Sequence, residues 1–188
     1  MKIATWNVNG IKARIDAART WFKAASPDIA LLQETKCVDD AFPRLEFEEL
    51  GYNIAVHGQK GFNGVALLSK LPFDEVAPRL AGDPDDVQAR YLEAVVSVPS
   101  GALRLVNIYL PNGNPFGTEK YAYKLAWMSA AARAGEGAAA TRRADDRCRR
   151  LQRHPDTWGC LRARGLDRRC ACSGPETARI SRRSPISA

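Results

Sequence analysis

The sequence predicts an α/β (α+β) fold in which sheets pack face to face and helices lie outside them. Three observations lead there. Residues 1–128 hold six strand-like segments but only three helical ones. The run Ile29-Ala30-Leu31-Leu32 is continuously apolar, as in a strand buried on both faces. Tyr91–Val98 and Leu103–Tyr109 alternate apolar and polar residues around Pro99–Gly101, the pattern of a hairpin. Many strands with few helices between them must bury their apolar faces against one another.

Each element has its own warrant. Lys2–Asn7 reads as a strand ending in polar residues. Asp16–Ala25 reads as a helix with Ala17, Trp21 and Ala24 on one face. Asp28–Gln33 is the second strand. Ala41–Leu50 is predicted as a short helix stopped at Gly51. Tyr52–His57 and Val65–Ser69 are strands around the turn-rich segment Gly58–Gly64. The hairpin follows, then a loop over Pro111–Gly117, then a helix beginning at Glu119.

A chain of 188 residues suggests one domain with a sizeable core. The net charge of +7 points towards nucleic acid until the chain is divided. Residues 1–128 carry 14 Lys and Arg against 15 Asp and Glu, a net −1, whereas residues 129–188 carry 14 Arg against 6 acids, a net +8. Residues 129–188 contain 12 Ala and no Lys, Asn, Val, Phe or Tyr. Such a composition does not bury enough apolar surface to offset chain entropy, so disorder is the expectation there. The opening residues do not form a signal peptide, since Asn7, Asn9 and Lys12 interrupt any apolar run. No stretch reaches transmembrane length, so no membrane partner is expected. Cys37 stands alone in the first 128 residues, which fits a reducing, cytoplasmic location. Cys148, Cys160, Cys170 and Cys172 match no ordinary zinc-finger spacing.

Three strand ends carry the chemistry. Asn7 closes the first strand in Thr5-Trp6-Asn7-Val8-Asn9-Gly10, and Glu34 follows the second in Leu32-Gln33-Glu34-Thr35-Lys36. An amide oxygen and a carboxylate at neighbouring strand ends are hard ligands of the kind Mg²⁺ takes while keeping several waters. Taken singly, each is more often a turn cap or a solvated strand end. Tyr109 ends a strand in Asn107-Ile108-Tyr109-Leu110-Pro111-Asn112-Gly113, where a phenol can donate to a phosphate oxygen. Gly58-Gln59-Lys60-Gly61-Phe62-Asn63-Gly64 joins glycines to a cation and amides, and such a loop can approach a DNA backbone closely.

In this order the four strings resemble the exonuclease III family of apurinic/apyrimidinic endonucleases, within the endonuclease/exonuclease/phosphatase superfamily. The resemblance spans residues 1–128, the N-terminal part of such a domain; residues 129–188 form an Arg/Ala-rich tail without it. It implies a four-layer αββα sandwich. It implies Mg²⁺-dependent (or Mn²⁺-dependent) hydrolysis of DNA phosphodiesters by a monomer, with double-stranded and abasic-site DNA as partners, in base-excision repair. Asn7 and Glu34 would hold the metal, Tyr109 would contact the scissile phosphate, and Lys60, Asn63 and Arg90 would contact DNA.

The resemblance also implies later motifs: Gly-Asp-x-Asn, a further Asp, and a closing Ser-Asp-His. None occurs after Met128, and His154 matches none of them. A chain so composed is expected to be truncated in function, inactive or severely impaired. Its second sheet is expected to be mostly missing, leaving apolar faces exposed and the product aggregating or molten. A frameshift near Met128 would account for the tail. Codons for Arg149–Pro155 can be chosen so that reading one base later spells Gly-Asp-Tyr-Asn-Val-Ile-Pro, and those for Gly165–Cys170 permit Ala-Trp-Ile-Asp-Asp-Ala. The alternative is a non-catalytic nucleic-acid-binding protein that uses a genuine basic tail.

Overall fold

The computed structural model describes residues 1–81, 86–139, 144–150 and 159–162. Among the described residues, nine strands and three helices follow in the order β1 (Lys2–Asn7), α1 (Ile15–Ala25), β2 (Ile29–Gln33), α2 (Leu45–Glu48), β3 (Asn53–His57), β4 (Val65–Ser69), β5 (Glu75–Ala77), β6 (Tyr91–Val98), β7 (Gly101–Tyr109), α3 (Glu119–Ala139), β8 (Ala144–Arg150) and β9 (Gly159–Arg162). They form two sheets, β3-β4-β2-β1-β9 and β5-β6-β7-β8.

Alternation along the strands builds the layers. In β2, Ile29 and Leu31 face the second sheet, while Ala30 and Leu32 face the helix side. All five β2 residues are therefore buried, as the continuous apolar run predicted. Ile3, Leu31, Val65 and Leu67 meet Leu92, Val96, Leu103 and Leu105 between the sheets. Phe22 of α1 packs edge-on against Phe47 of α2 and Tyr52, closing the outer face of the first sheet. Trp127 of α3 covers Val106 and Ile108 on the outer face of the second. The result is the four-layer order of helix, sheet, sheet, helix.

Several expectations need correction. The buried stripe of α1 is Ala18 and Phe22, not Ala17, Trp21 and Ala24. Phe22, one helical turn after Ala18, has the larger apolar side chain and takes the inward position; Trp21 sits at the flank against Trp6. The helix predicted over 41–50 shrinks to Leu45–Glu48, preceded by a single 3₁₀ turn at Asp39–Ala41. Pro43 explains the break, since proline disfavours helix at the residue before it. The edge strand β5 went unpredicted: it has three residues, all exposed.

The larger correction concerns the second sheet. The inner face of the first sheet is covered, because β6 and β7 both precede Met128 and suffice to cover it. Helix α3 runs on through Ser129 to Ala139, where alanine favours helix and Ala130 packs beside Trp127. Residues 144–150 pair in parallel with β7, and 159–162 pair antiparallel with β1. The segments Arg149–Pro155 and Gly165–Cys170 that carry the shifted motifs lie largely outside the described residues.

Candidate active site

The site begins with a parallel strand pair. β1 and β2 run side by side with Asn7 opposite Gln33, so Asn7 and Glu34 emerge at the same edge. The Asn7 amide donates to Glu34 Oε1. Asn7 Oδ1 accepts the backbone N–H of Asn9 at 2.9 Å. Lys36 brings its ammonium to 3.3 Å from Glu34 Oε2 and donates to Asn9 Oδ1. Burial raises the pKa of Glu34, but hydrogen bonds from Asn7, Tyr109 and Lys36, with the Lys36 charge, outweigh it and hold the carboxyl below its ordinary value.

Tyr109 reaches this carboxylate from the other sheet. Its approach depends on two buried amides that link the sheets. Asn107, two residues earlier on the same face of β7, donates to Leu32 O at 2.8 Å and to Ala66 O at 2.9 Å. Gln33 Nε2 donates to Asn107 Oδ1 at 2.8 Å and to Thr5 Oγ1 at 2.9 Å. Both amides are fully buried. This bond set fixes the end of β7 over the ends of β1 and β2. Arg90 covers the Tyr109 ring at 5.1 Å from its centroid, within cation–π range.

The backbone around these side chains is unusual. Non-glycine residues adopt positive φ at Asn9 (45°), Glu34 (56°), Lys36 (54°) and Asn63 (53°). Such conformations cost energy and cluster where surrounding structure enforces them. Here the enforcement is backbone lacing. Gly10 N–H donates to Glu34 O at 2.7 Å, Thr35 N–H to Gly64 O at 3.1 Å, Lys36 N–H to Asn63 O at 3.0 Å, and Gly64 N–H to Ala89 O at 2.9 Å. Gly64, at φ 88°, allows the closest approach: a Cβ there would sit 2.1 Å from Thr35 Oγ1.

Asn7, Glu34 and Tyr109 are thus brought together, with Arg90 beside Tyr109. Asn63 is buried on the adjoining loop, where it donates to Gln59 Oε1 and Gln88 Oε1. Lys60 stays exposed on that loop, apart from the group. Sequence reasoning missed the roles of Gln33, Asn107, Asn9, Lys36, Gln59 and Gln88. Two of them left a signal: Gln33 and Asn107 are amides on the inward face of otherwise apolar strands.

The residues present fit a hard cation. The ammonium of Lys36 already lies at Glu34 Oε2, so that carboxylate oxygen is a place where positive charge is stabilised. No cluster of three or more His, Cys, Asp or Glu exists among the described residues. The donor set is therefore one carboxylate and one amide oxygen, suited to a cation that retains most of its water.

The model of the endonuclease/exonuclease/phosphatase family matches residues 4–159, beyond Met128 and into the Arg/Ala-rich segment. The chain belongs to this family. Exodeoxyribonuclease III of Haemophilus influenzae is 38% identical over 113 residues, covering 60% of this chain and 42% of the relative. The DNA repair nuclease APEX1 of Danio rerio is 30% identical over 132 residues, covering 68% of this chain and 41% of its own. Among solved structures, the 3′-5′ exonuclease NExo of Neisseria meningitidis superposes with a TM-score of 0.70 at 35% identity, covering 76% of this chain and 54% of that one. An AP endonuclease of Archaeoglobus fulgidus gives 0.64 at 37% identity, covering 69% and 49%. The family member described here spans about half the length of the relatives it matches. No helix among its described residues is long and apolar enough to cross a membrane.

Proposed function

We propose that residues 1–128 are the front half of a metal-dependent DNA phosphodiesterase of the exonuclease III type, acting on duplex and abasic-site DNA as a cytoplasmic monomer, and that residues 129–188 are read one base out of frame. The carrying observation is the Asn7–Glu34–Tyr109 group, in which an ionised carboxylate, an amide and a phenol meet at strand ends from both sheets. Asn7 and Glu34 would hold Mg²⁺ or Mn²⁺, which supplies Lewis-acid stabilisation of charge on the phosphate. Tyr109 would donate to a non-bridging phosphate oxygen, held in place by Arg90 and Asn107. Arg90, Asn63 and Lys60 would meet the DNA backbone.

The strand register supports the shifted frame. β8 ends at Arg150, opposite Tyr109. In the shifted frame the codon beginning within Arg150 permits Asp, which would stand beside the phenol and the Glu34 carboxylate. The positions before it are more telling. Whatever codons encode Asp145, Asp146 and Cys148, reading one base later gives only Met or Thr, Ile or Thr, and Val or Ala respectively. Of these, Thr, Ile and Val favour strand, whereas the written Asp does not. In the written frame the same strand is Asp-Asp-Arg-Cys-Arg-Arg after Ala144.

The written chain has no carboxylate at that position to act as base, so it is inactive or severely impaired. Sequencing the gene from Met128 to Pro155 tests the frame. Codons unable to spell Gly-Asp-Tyr-Asn one base later would sink it. The protein expressed from the corrected frame should cleave abasic-site duplex with divalent metal at least about 10²-fold faster than the written chain. The competing reading, a binding protein with a basic tail, is favoured by the charge division of −1 and +8. It would be upheld by salt-sensitive DNA binding without cleavage from a gene whose frame stands.

A further inference from the structure

We infer that Gln88, which belongs to none of the motifs above, is the positioning residue that joins Arg90 and Asn63 into one preordered DNA-facing unit; the DNA in this inference rests on the proposed function, the positioning does not. One atom makes the junction. Gln88 Oε1 accepts from Arg90 Nε at 2.8 Å and from Asn63 Nδ2 at 3.2 Å. The two donors come from different loops, one entering β6 and one entering β4.

Gln88 is itself anchored. Its backbone N–H donates to Asp86 Oδ1 at 3.0 Å, and both Asp86 oxygens lie 3.1 Å from the Tyr123 hydroxyl on α3. Gln59 completes the unit: its Oε1 accepts from Asn63 Nδ2 at 2.8 Å and from Ala89 N–H at 3.2 Å. A continuous series of contacts thus runs from α3 through Asp86 and Gln88 to Arg90, then to the Tyr109 ring and Glu34.

The guanidinium is a rigid planar fork, so fixing Nε fixes the plane of the whole group. With Nε held by Gln88, Nη1 at 3.4 Å from Tyr109 O and the Tyr123 hydroxyl also in contact with the guanidinium, the plane is set over the Tyr109 ring. The remaining N–H groups keep one direction, and a phosphate meets a donor already ordered. Ordering a long side chain in advance removes an entropic cost from binding. A glutamine suits the junction better than an acid. It accepts two bonds without adding negative charge beside a polyanion.

The test uses the full chain and four variants: Gln88→Met, Gln88→Glu, Arg90→Lys and the double variant Gln88→Met/Arg90→Lys. The first readout is the Arg90 Nε–H resonance in ¹⁵N spectra, which exchanges slowly while hydrogen-bonded. The second is anisotropy with a labelled duplex carrying an abasic-site analogue, at salt high enough to screen the tail. Gln88→Met should lose the slow resonance and bind about fivefold more weakly. Gln88→Glu should keep the resonance. Gln88→Met should add nothing in an Arg90→Lys background. A persistent Arg90 resonance in Gln88→Met, or a further loss of binding in the double variant, overturns the inference. Should Gln88→Met fail to fold, loss of the resonance in Gln88→Glu overturns it alone. If no variant binds the duplex, wild type included, yet the resonance depends on Gln88, the nuclease reading falls and the positioning stands.

Discussion

Glu34 sits where opposing effects are balanced in favour of ionisation: burial works against the charge, and donors from Asn7, Tyr109 and Lys36 favour it. A carboxyl held below its ordinary value adds stability that is complete above the unfolded value of 4.5 and is lost as pH falls through the folded one. Urea midpoints of the wild type should therefore fall as pH drops below that value, and Glu34→Gln should remove that part of the dependence. The same variant should abolish any rise in melting temperature caused by Mg²⁺, and a rise that survives would remove Glu34 from the proposed metal site. Gly64→Ala makes a steric prediction. Its Cβ would meet Thr35 Oγ1 at a backbone angle that alanine tolerates poorly, so at least about 1 kcal/mol should be lost by chemical denaturation. At this scale Asn7, Glu34 and Tyr109 were legible because they end strands within distinctive strings. Gln88 was not, because its role depends on an oxygen shared by two loops that sequence order keeps 25 residues apart.

Between elements, the Gln33–Asn107 pair is the main polar link through an otherwise apolar interface. Asn107→Ala would remove donors to Leu32 O and Ala66 O and take from Gln33 its acceptor on the second sheet. A loss of about 3 kcal/mol is expected, read from urea denaturation, because buried acceptors left unpaired are costly. A second element-level effect concerns alkali. Burial, then the Asp28 charge, pushes Tyr52 up from 10 to about 12, and burial with Asp86 does the same for Tyr123. A phenol whose folded pKa is raised contributes stability below pH 10 that is lost as pH rises towards 12. Tyr52→Phe and Tyr123→Phe should each flatten the decline in melting temperature over that window. Strand positions were the most legible part of the fold, since alternation in β6 and β7 and the apolar run in β2 admit few other solutions. The buried face of α1 was misread because spacing alone does not say which apolar side chain turns inward, and β5 was missed because three exposed residues carry no pattern.

For the whole molecule, charge and chemistry lie in different parts of the chain. The first 128 residues are nearly neutral and hold the candidate site; the excess of positive charge follows. Replacing Arg164, Arg168, Arg169, Arg179, Arg182 and Arg183 by Gln should cut low-salt DNA affinity sharply and flatten its salt dependence, measured by anisotropy. An unchanged salt slope would place the phosphate contacts within residues 1–128 instead. The four-layer order followed from the first 128 residues; the pairing of 144–150 with β7 did not, because the written residues there do not read as a strand. The lacing of the loops after β1 and β2 to those before β4 and β6 has one more consequence, for how such a chain tolerates insertion and deletion over generations. Each of these four loops donates to or accepts from another through its main chain. Adding or removing one residue in any of them would displace the partners of the next. Length variation among descendants should therefore gather in the turn at 99–100 and be absent from 8–11, 34–36, 63–64 and 89–90, even where the side chains in those loops have drifted.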